Sequence, residues 1–127
     1  MYKYRFLLLI GLIVSCSSNQ TEFGNSELLQ KHNPITISEL KENPTDFDND
    51  TVRLVGELHL DLENKGISFD SHKIWIDSFK PASDLDTIWE YMNGKEIEII
   101  GLYQSGHSGH LGIYDGQLKE VYYIKTK

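Results

Sequence analysis

Hydrophobic and polar positions change rhythm several times along this chain of 127 residues. An unbroken apolar run, residues 6–14 (FLLLIGLIV), follows the basic stretch 1–5 (MYKYR). Residues 17–34 (SSNQTEFGNSELLQKHNP) are polar with no sustained period. They read as a flexible tether with a reach of roughly 20–25 Å. A short helix is expected next, with Ser38 as N-cap, Glu39 and Glu42 in its turns, and Asn43-Pro44 as its stop. Residues 45–50 (TDFDND) form a turn. Residues 51–61 (TVRLVGELHLD) then alternate, with Val52, Leu54, Leu58 and Leu60 on one face. That is a half-buried strand, and Gly56 marks a bulge or a sharp coil in it. Two short strands follow, residues 67–69 and 73–77, with turns before and between them.

Helical spacing returns in residues 84–93 (DLDTIWEYMN). Leu85, Ile88, Trp89 and Met92 fall on one face, Asp84 caps the start, and Gly94 stands where a helix-ending glycine belongs. Residues 96–103 (EIEIIGLY) and 116–126 (GQLKEVYYIKT) are the last strands. In the final one, Leu118 and Val121 need a bulge to share a face. Val52–Gly56 and Ile97–Gly101 echo one another in pattern, which suggests two coiled strands of one small barrel.

The apolar run at the start is too short to cross a bilayer, which takes about 20 residues. It fits the h-region of an export signal occupying residues 1–15. The sequence Ile13-Val14-Ser15-Cys16 that ends it resembles the bacterial lipobox. That resemblance implies a diacylglyceryl thioether on Cys16, cleavage before it by signal peptidase II, and attachment to a membrane. Two or three acyl chains bury dozens of CH₂ groups at roughly 0.8 kcal/mol each, so the anchor would be permanent. Ser17, in place of an aspartate, leans toward an outer membrane and its periplasmic face.

Charge narrows the partners. With Lys3 and Arg5 removed alongside the signal, ten basic residues face 19 acidic ones, a net charge of −9, and Arg53 is the one arginine left. Nucleic-acid binding rests on neutralising phosphates with Lys and Arg, so nucleic acid is an unfavoured partner. The single Cys excludes intrachain disulfides and cysteine-cluster zinc sites.

The element order is three strands, a helix, then two strands. This is the order of the OB-fold, a five-stranded Greek-key barrel with a helix between its third and fourth strands. The expected fold is therefore all-β with one or two helices, with the barrel in residues 35–127 and residues 16–34 as a lipidated tether. Asn43-Pro44, Val52–Gly56, Ile74-Trp75-Ile76, Ile97–Gly101 and Gly109-His110-Leu111-Gly112 together resemble a group of small exported bacterial OB-fold proteins and lipoproteins, of the tRNA-anti-like or periplasmic OB type. The resemblance transfers no catalytic residue. The face of the second and third strands offers Ser68, Asp70, Lys73 and Asp77 rather than a basic stripe.

Candidate chemistry is sparse. His107 and His110, in the glycine-rich segment 105–112 (SGHSGHLG), can chelate a metal if His59, His72 or Asp115 joins them. The competing reading is a flexible loop whose glycines set its backbone. Asp46, Asp48, Asp50 and Glu57 have calcium-loop spacing, but Thr51 stands where such loops need Gly. Trp89 belongs to the core, whereas Trp75 lies opposite Ile74 and Ile76 and faces outward as a ligand platform. No nucleophile elbow or phosphate loop is present, and neither catalysis nor a cofactor is expected. The expectation is a membrane-anchored module that binds an envelope protein, a peptide or a glycan. A metal-binding lipoprotein and a structural envelope component are the alternatives.

Overall fold

The computed structural model describes residues 22–79 and 85–127. The expected signal (residues 1–15), the expected lipidation site Cys16 and the expected cap Asp84 lie outside the described residues, as do the side chains of Leu85 and Trp89.

Five strands close into a barrel: β2 (Thr51–Leu60), β3 (Lys65–Phe69), β4 (His72–Ile76), β5 (Glu96–Ser108) and β6 (Tyr114–Thr126). Around it the order is β4-β3-β2-β5-β6, and β6 returns to β4. All neighbours are antiparallel except β4 and β6, which run parallel through Trp75↔Gln117 and Ile76↔Leu118. The architecture is OB-fold-like, with the expected helix, α3 (Leu85–Met92), between β4 and β5. Ile88 and Met92 from α3 are fully buried among the barrel side chains. Gly94 ends α3 with φ +79°. The Asn93 amide then donates to Leu60 O at 2.9 Å and accepts from Leu60 N at 2.8 Å, fastening the helix end to β2.

Alternation in β2 places Val52, Leu54, Gly56, Leu58 and Leu60 inward, as the sequence pattern requires. The two echoing segments are partners. Val52 lies opposite Gly101 and Gly56 opposite Ile97, so each glycine faces the first residue of the other segment. A Cβ on Gly101 would come within 2.5 Å of Glu120 O, so only glycine lets β6 approach so closely. Strand β6 carries two bulges, at Lys119 and Tyr122, where the register with β5 skips a residue. They bring Leu118 and Val121 into the same core, as expected.

The structure differs from the sequence reading in three places. Helix α2 (Ile37–Glu42) starts two residues earlier than a Ser38 cap would set. Its cap is Thr36, whose hydroxyl accepts from Glu39 N at 3.0 Å while Glu39 reaches back to Thr36 N. This reciprocal capping box uses both residues and displaces Ser38. Strand β5 runs five residues beyond Tyr103, so His107 lies at a strand end rather than in a loose loop. Polar side chains hide that extension. Gln117 Nε2 donates to Gln104 Oε1 at 3.0 Å, and Gln104 Nε2 donates to Asn49 Oδ1 at 3.3 Å.

The third difference is the segment read as tether, whose residues 22–34 are docked on the barrel. Strand β1 (Glu22–Gly24) pairs with β6 from Tyr123 to Lys125. A short helix α1 (Leu28–Lys31) follows, and Ile35 N–H donates to Arg53 O on β2 at 2.9 Å. The arm thus crosses β5, from the open edge of β6 to the open edge of β2. Beneath it, Arg53 Nε meets Glu98 Oε2 at 3.0 Å, and Lys125 Nζ lies 3.6 Å from Glu98 Oε1. Arg53 Nη1 donates to the carbonyls of Leu29 and His32 at 3.0 and 3.1 Å. Glu98 is 4% exposed, the most buried charge among the described residues.

Candidate functional site

Two loops meet at one end of the barrel. In the β2–β3 loop, Asp61 Oδ1 accepts from Glu63 N at 2.9 Å and from Asn64 N at 2.7 Å. These backbone donors hold the Asp61 carboxyl below its ordinary value, and His110 nearby acts in the same direction. In the β5–β6 loop, a single 3₁₀ turn (His110–Gly112) places Leu111 at φ +59°, between Gly109 and Gly112, which also have positive φ.

Trp75 and Tyr114 form the floor under these loops. Their rings meet edge to face, with centroids 5.1 Å apart. Lys65 Nζ lies 5.6 Å from the Trp75 ring, a cation–π distance. A Cβ on Gly109 would fall 2.5 Å from the Trp75 ring, so the loop backbone rests on the indole where only glycine fits. Tyr114 Oη donates to Asn64 Oδ1 at 3.1 Å, joining β6 to the β2–β3 loop. Burial, assisted by Asp61, pushes the Tyr114 hydroxyl up from its ordinary value. His110 Nε2 stands 3.9 Å from Glu63 Oε2, a second tie between the loops.

Three large apolar side chains project from this braced platform. Leu62 is 98% exposed, Leu111 82% and Ile113 57%. Neither loop turns them inward, because hydrogen bonds and the aromatic floor already fix both backbones.

Of the residues singled out in the sequence, Trp75 and His110 come to this same end. Trp75 does lie opposite the buried Ile74 and Ile76, but its ring is engaged by Gly109, Tyr114 and Lys65. His107 lies on β5, beside Gly112. The proposed third ligands are engaged elsewhere. His59 Nε2 is 3.0 Å from Ser68 Oγ, His72 Nδ1 accepts from Lys41 Nζ at 3.1 Å, and Asp115 Oδ2 accepts from Lys73 N at 3.4 Å. Among the described residues, no three His, Cys, Asp or Glu side chains gather as a metal site. Asp48, from the calcium-like spacing, instead accepts from Ser105 N at 2.8 Å and ties its turn to β5.

Sequence reasoning missed Leu62, Lys65, Leu111, Ile113 and Tyr114. The available signal was two lone leucines, each inside a polar turn: Asp61-Leu62-Glu63 and His110-Leu111-Gly112.

Compared with known protein families and with curated proteins, the chain finds no match.

Proposed function

We propose that this protein is a lipid-anchored, extracytoplasmic, non-catalytic module that docks an envelope protein through the loop end of its barrel. The observation that carries the reading is the trio Leu62, Leu111 and Ile113, exposed on two loops that hydrogen bonds and stacking hold rigid. Rigid exposed apolar residues lose little conformational freedom on binding, which is what a docking surface needs. A protein suits this end better than a glycan, because the Trp75 ring is engaged within the chain rather than open for stacking. Nucleic acid suits it poorly, since Asp61, Glu63 and the chain's net charge of −7 repel phosphates.

The anchor rests on the sequence: the basic start, the apolar run 6–14, and the lipobox-like Ile13-Val14-Ser15-Cys16. The likeness to small exported bacterial OB-fold lipoproteins is supported by Asn43-Pro44, Val52–Gly56, Ile74-Trp75-Ile76, Ile97–Gly101 and Gly109-His110-Leu111-Gly112, and Ser17 supports the periplasmic face of an outer membrane. Cys16→Ser should abolish lipid labelling in cells, and labelling that persists would refute the anchor.

The docking surface is tested by a photo-crosslinking residue placed at Leu62 or Leu111 in the full-length chain, followed by mass spectrometry. One recurrent adduct is expected, and it should disappear when Leu62→Ser and Leu111→Ser are combined with a crosslinker at Ile113. Crosslinks no more specific than those from a probe at Glu42 would overturn the reading.

A further inference from the structure

A second concave surface lies away from the loop end. It is a groove of about 520 Å³ between the arm and strands β2 and β3. Its apolar lining comes from Pro34, Ile35, Val55 and Phe69, and Phe69 is 52% exposed there. Its charged lining is Glu57, Asp70 and Glu96, with no Lys, Arg or His.

Two features of this groove are left open by the fold. The first is a gap in the β ladder. Successive residues of an antiparallel strand aim their backbone groups at alternate edges. Leu58 N–H donates to Lys95 O on the β5 side, and Arg53 O accepts from Ile35 N on the other side. Arg53, Val55 and Glu57 therefore all face away from β5. Ile35 occupies Arg53, and Ser68 stands opposite Glu57. The arm then turns into α2 at Ile37, and Asp70, next in register, leaves the strand with φ +57°. Val55 is left with a free N–H and C=O pointing into the groove, with no ladder partner among the described residues.

The second feature is electrostatic. Glu57 and Glu96 lie directly opposite each other on β2 and β5. Like charges in that relation destabilise a sheet. Asp70 adds a third carboxylate to the same lining. On β2, His59 Nε2 lies 3.6 Å from Glu57 Oε1 and 3.0 Å from Ser68 Oγ.

We infer that this groove takes an extended basic peptide segment, whose backbone pairs with Val55 and whose Lys or Arg side chains meet Glu57, Glu96 and Asp70. The apolar walls accept the alternate side chains of such a strand. The groove uses neither the lipid anchor nor the loop end, so the inference stands apart from the proposed function.

The test is amide NMR on the full-length chain in detergent micelles, with three probes. They are a capped Lys-Val-Lys-Val-Lys peptide, its Glu-Val-Glu-Val-Glu counterpart, and spermine. The basic peptide should shift the Val55 and Ser68 amides and protect Val55 N–H from exchange. Glu57→Gln with Glu96→Gln, at two exposed positions where losing the facing charges does not cost the fold, should weaken that binding by about tenfold. Equal binding of the acidic peptide, binding unaffected by the double Gln variant, or no shift at Val55 would each overturn the inference. So would spermine reproducing the Val55 protection, since a polyamine has no backbone to pair. Shifts confined to Leu62 and Leu111 would overturn it while leaving the loop-end reading intact.

Discussion

Arg53 shows how much one residue can decide. It is the single arginine beyond the signal-like segment, and its guanidinium serves two masters at once: the buried Glu98 carboxylate and the carbonyls of Leu29 and His32. Arginine's planar fork suits this, because its donors diverge at fixed angles that lysine lacks. A buried pair adds little over an apolar replacement, but breaking one half strands a charge. Lys125 still faces Glu98 at 3.6 Å, so Arg53→Met should lower unfolding free energy by about 1–3 kcal/mol in urea titrations. Arg53→Met with Glu98→Leu should recover most of that loss. If the double variant is as unstable as the single one, the arm's carbonyl contacts, rather than the stranded carboxylate, carry the effect. A sequence reading could note that Arg53 was alone. It could not place Glu98 beneath it, because the two meet only through the β2–β5 register.

At the scale of elements, the arm is the piece with the least internal support. Helix α1 has four residues and no side-chain cap, and β1 has three residues. Such pieces are unstable alone, so pairing with the barrel must hold them. Gly24 is the hinge of that pairing. It has φ +95°, and a Cβ there would collide with Tyr122 O at the β6 bulge. Gly24→Ala should release β1 and raise amide exchange at Asn25, whose N–H donates to Tyr122 O, while exchange at Leu54 in the barrel stays slow. Uniform loss of protection would mean that arm and barrel unfold as one unit. The contrast with β2 explains what was legible. Five inward positions at period 2 announce β2, and the helical spacing of Ile88 and Met92 announces α3, because a barrel core writes itself as periodicity. The arm is stabilised by backbone pairing at a strand edge and by one buried ion pair, neither of which leaves a period. The far half of β5 is hidden for the same reason, since Gln104 and Ser105 bond polar partners instead of entering the core. The candidate site is legible only in part. Trp75 and His110 stood out by type, but the exposed leucines gained meaning when the two loops were brought together.

For the whole molecule, the docked arm sets the orientation that a lipid on Cys16 would impose. Only the chain between residues 16 and 22 then separates the anchor from the barrel, and fully extended it spans about 20 Å. Glu22 pairs with Lys125, which in turn pairs with Glu98, so the arm enters at the end of the β5–β6 hairpin where the chain terminus lies. Leu111 lies in the turn at the hairpin's other end. A barrel with many more acidic than basic residues is also repelled by anionic headgroups rather than laid flat upon them. With such an anchor the loop end would face away from the bilayer. With the lipidated chain in vesicles, a spin label at Lys127 should relax strongly with a paramagnetic lipid, and one at Leu111 should not. Insertion of a long Gly/Ser stretch between residues 21 and 22 should erase the difference, because the barrel then tumbles free of its anchor. Equal relaxation at both positions without the insertion would mean that the arm detaches at the membrane. Stronger relaxation at Leu111 would turn the exposed leucines from a protein-docking surface into a membrane-dipping one.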